Sequence, residues 1–152
     1  MSHYPKPLQE IIDLFEHLPD AEKREMLVNF AESAARCAPD EGETFDLTDV
    51  RKDEECTDTV GVFLNVGGGG AAAFKVSLGP EVQTLTRAMT AILCKGLGGA
   101  TLQEILDVPA DFVPRIVGAE LVRLRSQTVY YVLTRMKSAV KVYQNRLRTS
   151  EA

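Results

Sequence analysis

The sequence predicts an α+β fold, a small antiparallel sheet packed against several helices. Three observations carry this. Apolar residues recur at helical spacing in both the first and the last third of the chain. Two runs rich in β-branched and aromatic residues, at about 59–66 and 71–78, stand between them. The four glycines Gly67 to Gly70 join those runs, as the loop of a β-hairpin requires. A chain of 152 residues predicts one domain, 1–152, large enough to form a core without disulfide staples.

Taken in order, Pro7 to His17 places Leu8, Ile11, Ile12 and Phe15 on one face, an amphipathic helix. Asp20 is suited to cap a second helix with the face Met26, Leu27, Phe30 and Ala34, and Ala38-Pro39 ends the helical pair. Between Asp40 and Asp58 nine acids face two bases, which reads as an exposed polar loop. In the first strand Val60, Val62, Leu64 and Val66 alternate with Thr59, Gly61, Phe63 and Asn65. After the hairpin, Gly79-Pro80 is expected to open a helix with Val82, Leu85, Met89, Ile92 and Leu93 inward, closed by Gly96. Thr101 and Glu104 form a capping box at the start of a short helix that stops before Pro109. One further turn spans Pro114 to Val117, and a long helix follows from about Gln127 to Leu147. Its Thr128-Val129-Tyr130-Tyr131-Val132 run has strand propensity, but the apolar spacing favours a helix.

Composition excludes several classes. No apolar run approaches the roughly 18 residues of a membrane span, and the N-terminal residues lack the layout of a secretory signal. Three widely spaced cysteines, Cys37, Cys56 and Cys94, predict reduced thiols and a cytoplasmic protein. With no close Cys/His pairs, no dedicated metal site is expected. The net charge is −5, and although Arg115 to Arg148 holds eight bases and one acid, that excess is better explained as a solvated helix face than as a nucleic-acid surface. The glycine run loosely matches a phosphate-binding pattern, but Phe74-Lys75-Val76 behind it is strand-like and supplies no helix N-terminus.

Cys56 is the candidate for chemistry. It lies in a polar stretch directly before a predicted strand, where partly exposed thiols react, although Glu55 beside it disfavours the thiolate. A functional thiol and a plain loop cysteine fit this setting equally well. Cys37 and Cys94 sit among apolar helix residues and are expected to act as small fillers without an activating partner.

The order of parts resembles the SufE-like sulfur-acceptor proteins over nearly the whole chain. Leu8 to Phe15 is similar to their first helix, and Cys56 falls where that family keeps its sulfur-accepting cysteine. Leu85 to Met89 is similar to a segment usually written Val-Lys-Gly-Leu, and Arg125-Ser126-Gln127 matches part of a Ser-Arg-Ser-x-Gly-Leu turn. The family's Gly-Cys-Gln-Ser is Glu55-Cys56-Thr57-Asp58 here, and Thr128 replaces the glycine after the Arg-Ser turn. The resemblance implies a single SufE/IscU-like domain. It also implies that Cys56 takes persulfide sulfur from a SufS-like cysteine desulfurase and relays it to a SufBCD-like iron–sulfur scaffold. Arg125 and Asp58 would support the cysteine's loop, and an apolar shelf from the hairpin would shield the persulfide. Pyridoxal phosphate belongs to the desulfurase, and neither cofactor nor cluster, nucleic acid nor membrane is expected to be bound. Two other classes remain open: an interaction module in which Cys56 is incidental, and a free-standing thiol enzyme such as a peroxide reductase. The sequence distance of Cys56 from Cys37 and Cys94 counts against the last.

Overall fold

The computed structural model describes residues 4–52 and 58–151. The chain opens with two helices, α1 (Lys6–Glu16) and α2 (Asp20–Ser33), and a 3-10 turn at Ala34–Cys37. Three strands follow, β1 (Leu47–Lys52), β2 (Thr59–Val66) and β3 (Ala72–Leu78), then α3 (Thr84–Leu97), α4 (Leu102–Asp107), a 3-10 turn at Ala110–Phe112, α5 (Val113–Val117) and α6 (Ala119–Glu151). The strands form one antiparallel sheet in the order β1-β2-β3. This is the α+β architecture expected, with the hairpin within one residue of its predicted limits.

The sheet has one dry face. Val60, Val62 and Leu64 of β2 and Phe74 and Val76 of β3 are buried in a single core with Met89, Ile92 and Leu93 of α3 and Val129, Val132 and Met136 of α6. Alternation puts Val50, Gly61, Phe63 and Ser77 on the other face, where Phe45 stacks at a tilt on Phe63 with ring centroids 4.9 Å apart. Leu8, Ile11, Ile12 and Phe15 of α1 are buried, as the helical stripe predicts. The start of β3 is tied to the end of α3: Ala72 N–H donates to Ala100 O and Gly99 N–H to Ala72 O, both at 2.8 Å.

Four local readings are corrected. Residues 40–58 are not all loop, because 47–52 form β1, paired with β2 from Leu47↔Leu64 to Lys52↔Thr59. Its Asp49 takes a register position opposite Val62, on the core side, and is met there by buried Arg135 from α6. Asp20 is the first residue of α2 and makes no side-chain cap. Helix α3 begins at Thr84, not at Gly79-Pro80, because the Arg87 guanidinium takes the carbonyls of Gly79, Pro80 and Val82 at 2.9, 3.3 and 3.0 Å. Gly96 does not close α3: it lies inside the helix against Leu8, where a Cβ would stand 3.0–3.2 Å from Leu8 atoms, backbone Cα included. A side chain there would push α1 off α3. The capping box at Thr101 is present with both of its hydrogen bonds.

Candidate functional site

Cys56 itself lies outside the described residues, so the site is built from what flanks it. The last ladder pair of β1 and β2 is Lys52↔Thr59, and the chain between these residues contains Cys56. Asp58 stands at the β2 end of that connection. Its carboxylate accepts N–H bonds from Thr59 at 2.7 Å and from Glu81 at 2.8 Å, stitching the start of β2 to the segment after β3. Those two amides hold the carboxyl below its usual pKa, the Glu81 bond first, with the charges of Lys52 and Arg87 adding to the effect. Gly79 makes room for the clamp: a Cβ there would lie 2.3 Å from both Cγ and Oδ2 of Asp58. Gly79 N–H also donates to Thr59 O at 2.9 Å.

The same segment leads into an apolar groove. Leu27 and Val28 of α2, Leu85 of α3 and Leu121 of α6 line a depression of about 520 Å³, with Arg24, Gln83 and Arg125 also lining it. Arg125 donates to Gln83 Oε1 at 3.3 Å, and its backbone departs from helical geometry (φ −136°, ψ 36°), kinking α6 after its first turns. Thus Asp58, two residues beyond Cys56, and Arg125 both bond to the segment 79–83, Asp58 through Glu81 and Arg125 through Gln83. Sequence reasoning singled out Asp58 and Arg125 but missed Gly79, Gln83 and the groove. The Arg-Ser-Gln sequence carried a signal for the kink, whereas the groove is assembled from three helices and has none.

The expectation that Cys37 and Cys94 lack a partner is overturned, since both line one cavity and each shifts the other's pKa, Cys37 downward and Cys94 upward. Among the described residues no three His, Cys, Asp or Glu side chains come together as metal ligands, and no helix is long and apolar enough to cross a membrane.

Comparison with solved structures supports the fold. A hypothetical protein from Thermus thermophilus superposes with a TM-score of 0.69 at 22% identity, over 93% of this chain and 98% of that one. The N-terminal part of a nitrogen-fixing NifU-like protein from Brucella abortus superposes with a TM-score of 0.56 at 14% identity, over 80% of this chain and 93% of that one. No curated protein matches the chain. The SufE family, described as an Fe-S metabolism associated domain, matches residues 9–140, a span that holds the sheet, the clamp and position 56. The chain therefore belongs to the SufE family and to Fe–S metabolism.

Proposed function

We propose that this protein accepts sulfur on Cys56 from the persulfide of a SufS-like cysteine desulfurase and relays it to a SufBCD-like scaffold, stimulating the desulfurase as it does so. The observation that carries this reading is the position of Cys56. It lies within the family match, in the short connection between two paired strands, two residues before the Asp58 clamp. A thiol in a short connection between two paired strands suits delivery between two partners, because the strands set where the connection begins and ends.

The transfer is thiol exchange on a sulfane sulfur. The Cys56 thiolate attacks the terminal sulfur of the donor persulfide, a new S–S bond forms, and the donor cysteine leaves as its thiolate. Cys56 then carries a persulfide, and no electrons are gained or lost overall. A second thiolate at the scaffold repeats the step and restores Cys56. Persulfides are reversible caps open to reductants, so apolar cover helps; the groove that would supply it is lined by α2, α3 and α6 and not, as expected, by the hairpin. Pyridoxal phosphate is the desulfurase's own cofactor, and the exchange occurs in the cytoplasm.

The test is alanine formation by the desulfurase encoded in the same genome, with cysteine as substrate. The intact protein is expected to raise the rate several-fold, and Cys56→Ser to leave it at the basal level while still binding the desulfurase. Equal stimulation by Cys56→Ser would contradict the reading and make the protein an interaction module.

A further inference from the structure

Two cysteines far apart in sequence meet on another part of the molecule. Cys37 ends the 3-10 turn after α2, and Cys94 sits in the last turns of α3. Both are half-buried free thiols, and both line a cavity of about 390 Å³. Three cations ring it: Arg36 from the turn, Lys75 from β3 and Lys95 from α3. Among the described residues that line it, none is acidic.

The electrostatics follow from this placement. The neighbouring Cys94 thiol, and after it the Lys75 charge, draw Cys37 down to about 7 in spite of its burial. Cys94 is pushed the other way, by the facing Cys37 first, and by burial. Cys37 is therefore the member that ionises more readily, and Cys94 the one that stays a thiol. That division of labour is what a peroxidatic and a resolving cysteine need.

We propose that Cys37 and Cys94 form a peroxide-sensing dithiol site, separate from Cys56, that closes reversibly to an intramolecular disulfide. The Cys37 thiolate attacks one oxygen of hydrogen peroxide, the O–O bond breaks, and Cys37 becomes a sulfenic acid while hydroxide departs and takes up a proton as water. The sulfur of Cys94 then attacks the sulfenic sulfur, the S–O bond breaks, and the hydroxyl leaves with the Cys94 proton as a second water. Two electrons pass from the thiol pair to peroxide. A dithiol reductant reverses the closure by exchange. The cross-link fixes the end of the α2 arm to α3 and encloses β1, β2, β3 and Cys56 in one covalent loop.

The experiment uses full-length Cys56→Ser protein, in which only this pair remains, so its outcome is independent of the sulfur-acceptor reading. At pH 7, Cys37 is expected to react with iodoacetamide roughly tenfold faster than Cys94. One equivalent of hydrogen peroxide should remove two hydrogens from the intact mass, protect both thiols and yield a Cys37–Cys94 linked peptide, all reversed by dithiothreitol. With Cys94→Ser added, Cys37 should stop at a sulfenic acid that dimedone traps. Equal alkylation rates, two thiols still free after peroxide, or a cross-link only between protein molecules would each overturn the proposal.

Discussion

The Asp58 carboxylate holds the Thr59 and Glu81 amides, and a methyl group on Gly79 would lie 2.3 Å from it. Gly79→Ala must displace one or the other, so it is expected to destabilise the fold by about 1–3 kcal/mol in urea unfolding. Adding Asp58→Ala should recover part of that loss, since the clash partner is gone. Because folding lowers the Asp58 pKa, its contribution is complete above the unfolded value of about 3.9 and is lost as pH falls through the folded one. Asp58→Asn is therefore expected to make stability fall less steeply below about pH 4. Arg135 is a larger case. It is 2% exposed and donates to Asp49 O, Val60 O, Asp49 Oδ2 and the Tyr131 hydroxyl. Arg135→Met strands those acceptors and should cost about 2–4 kcal/mol, and Arg135→Lys should restore little because an ammonium cannot reach all four. The Arg115–Glu16 pair at 2.8 Å is solvent-exposed, so Glu16→Gln should cost no more than about 0.5 kcal/mol. Sequence marked Asp58 as a departure from the family pattern, but its partner at Glu81 and the Gly79 contact come from chain folding and leave no local trace.

At the level of elements, apolar periodicity located what is buried and was silent on what is held by polar bonds. Leu8, Ile11, Ile12 and Phe15 announced α1, and Val129, Val132, Leu133 and Met136 carried α6 through a stretch of strand propensity, because burial on one face outweighs β preference. Strand β1 had no such signal. In Leu47-Thr48-Asp49-Val50-Arg51-Lys52 only Leu47 is buried, and the strand exists through its ladder with β2 and the Arg135 contact. Charged residues on such an edge also discourage pairing with other chains. The start of α3 was misplaced for a similar reason, since the Arg87 side chain takes the carbonyls of Pro80 and Val82 and shares that of Gly79 with a turn bond from Val82 N–H. Where the bonding is local, the sequence spoke clearly: Thr101 and Glu104 make their reciprocal cap at 3.1 and 3.0 Å. Thr101→Ala is expected to cost about 1 kcal/mol, read as a shift in the urea midpoint with an unchanged slope.

Across the whole molecule, charge is divided between an acidic stretch from Asp40 to Asp58 and a basic last third; among the described residues Arg135 pairs with Asp49 across the two, and Arg115 pairs with Glu16 of α1. Such exposed fields guide encounter more than they hold a complex together. Stimulation of the desulfurase is therefore expected to fall several-fold when ionic strength rises from about 0.05 to 0.5 M, where screening shortens to a few ångströms. The two proposed sulfur chemistries fall on different cysteines, Cys56 in the sequence between β1 and β2, and the pair Cys37 and Cys94 at the end of the α2 arm and in α3. The most direct test of the acceptor role is to locate the transferred atom. After reaction with the desulfurase and isotopically labelled cysteine, peptide mapping without reductant should find one labelled sulfur on the Cys56 peptide and none on Cys37 or Cys94. Label on either of those two, or none on Cys56 while the desulfurase turns over, would contradict the account.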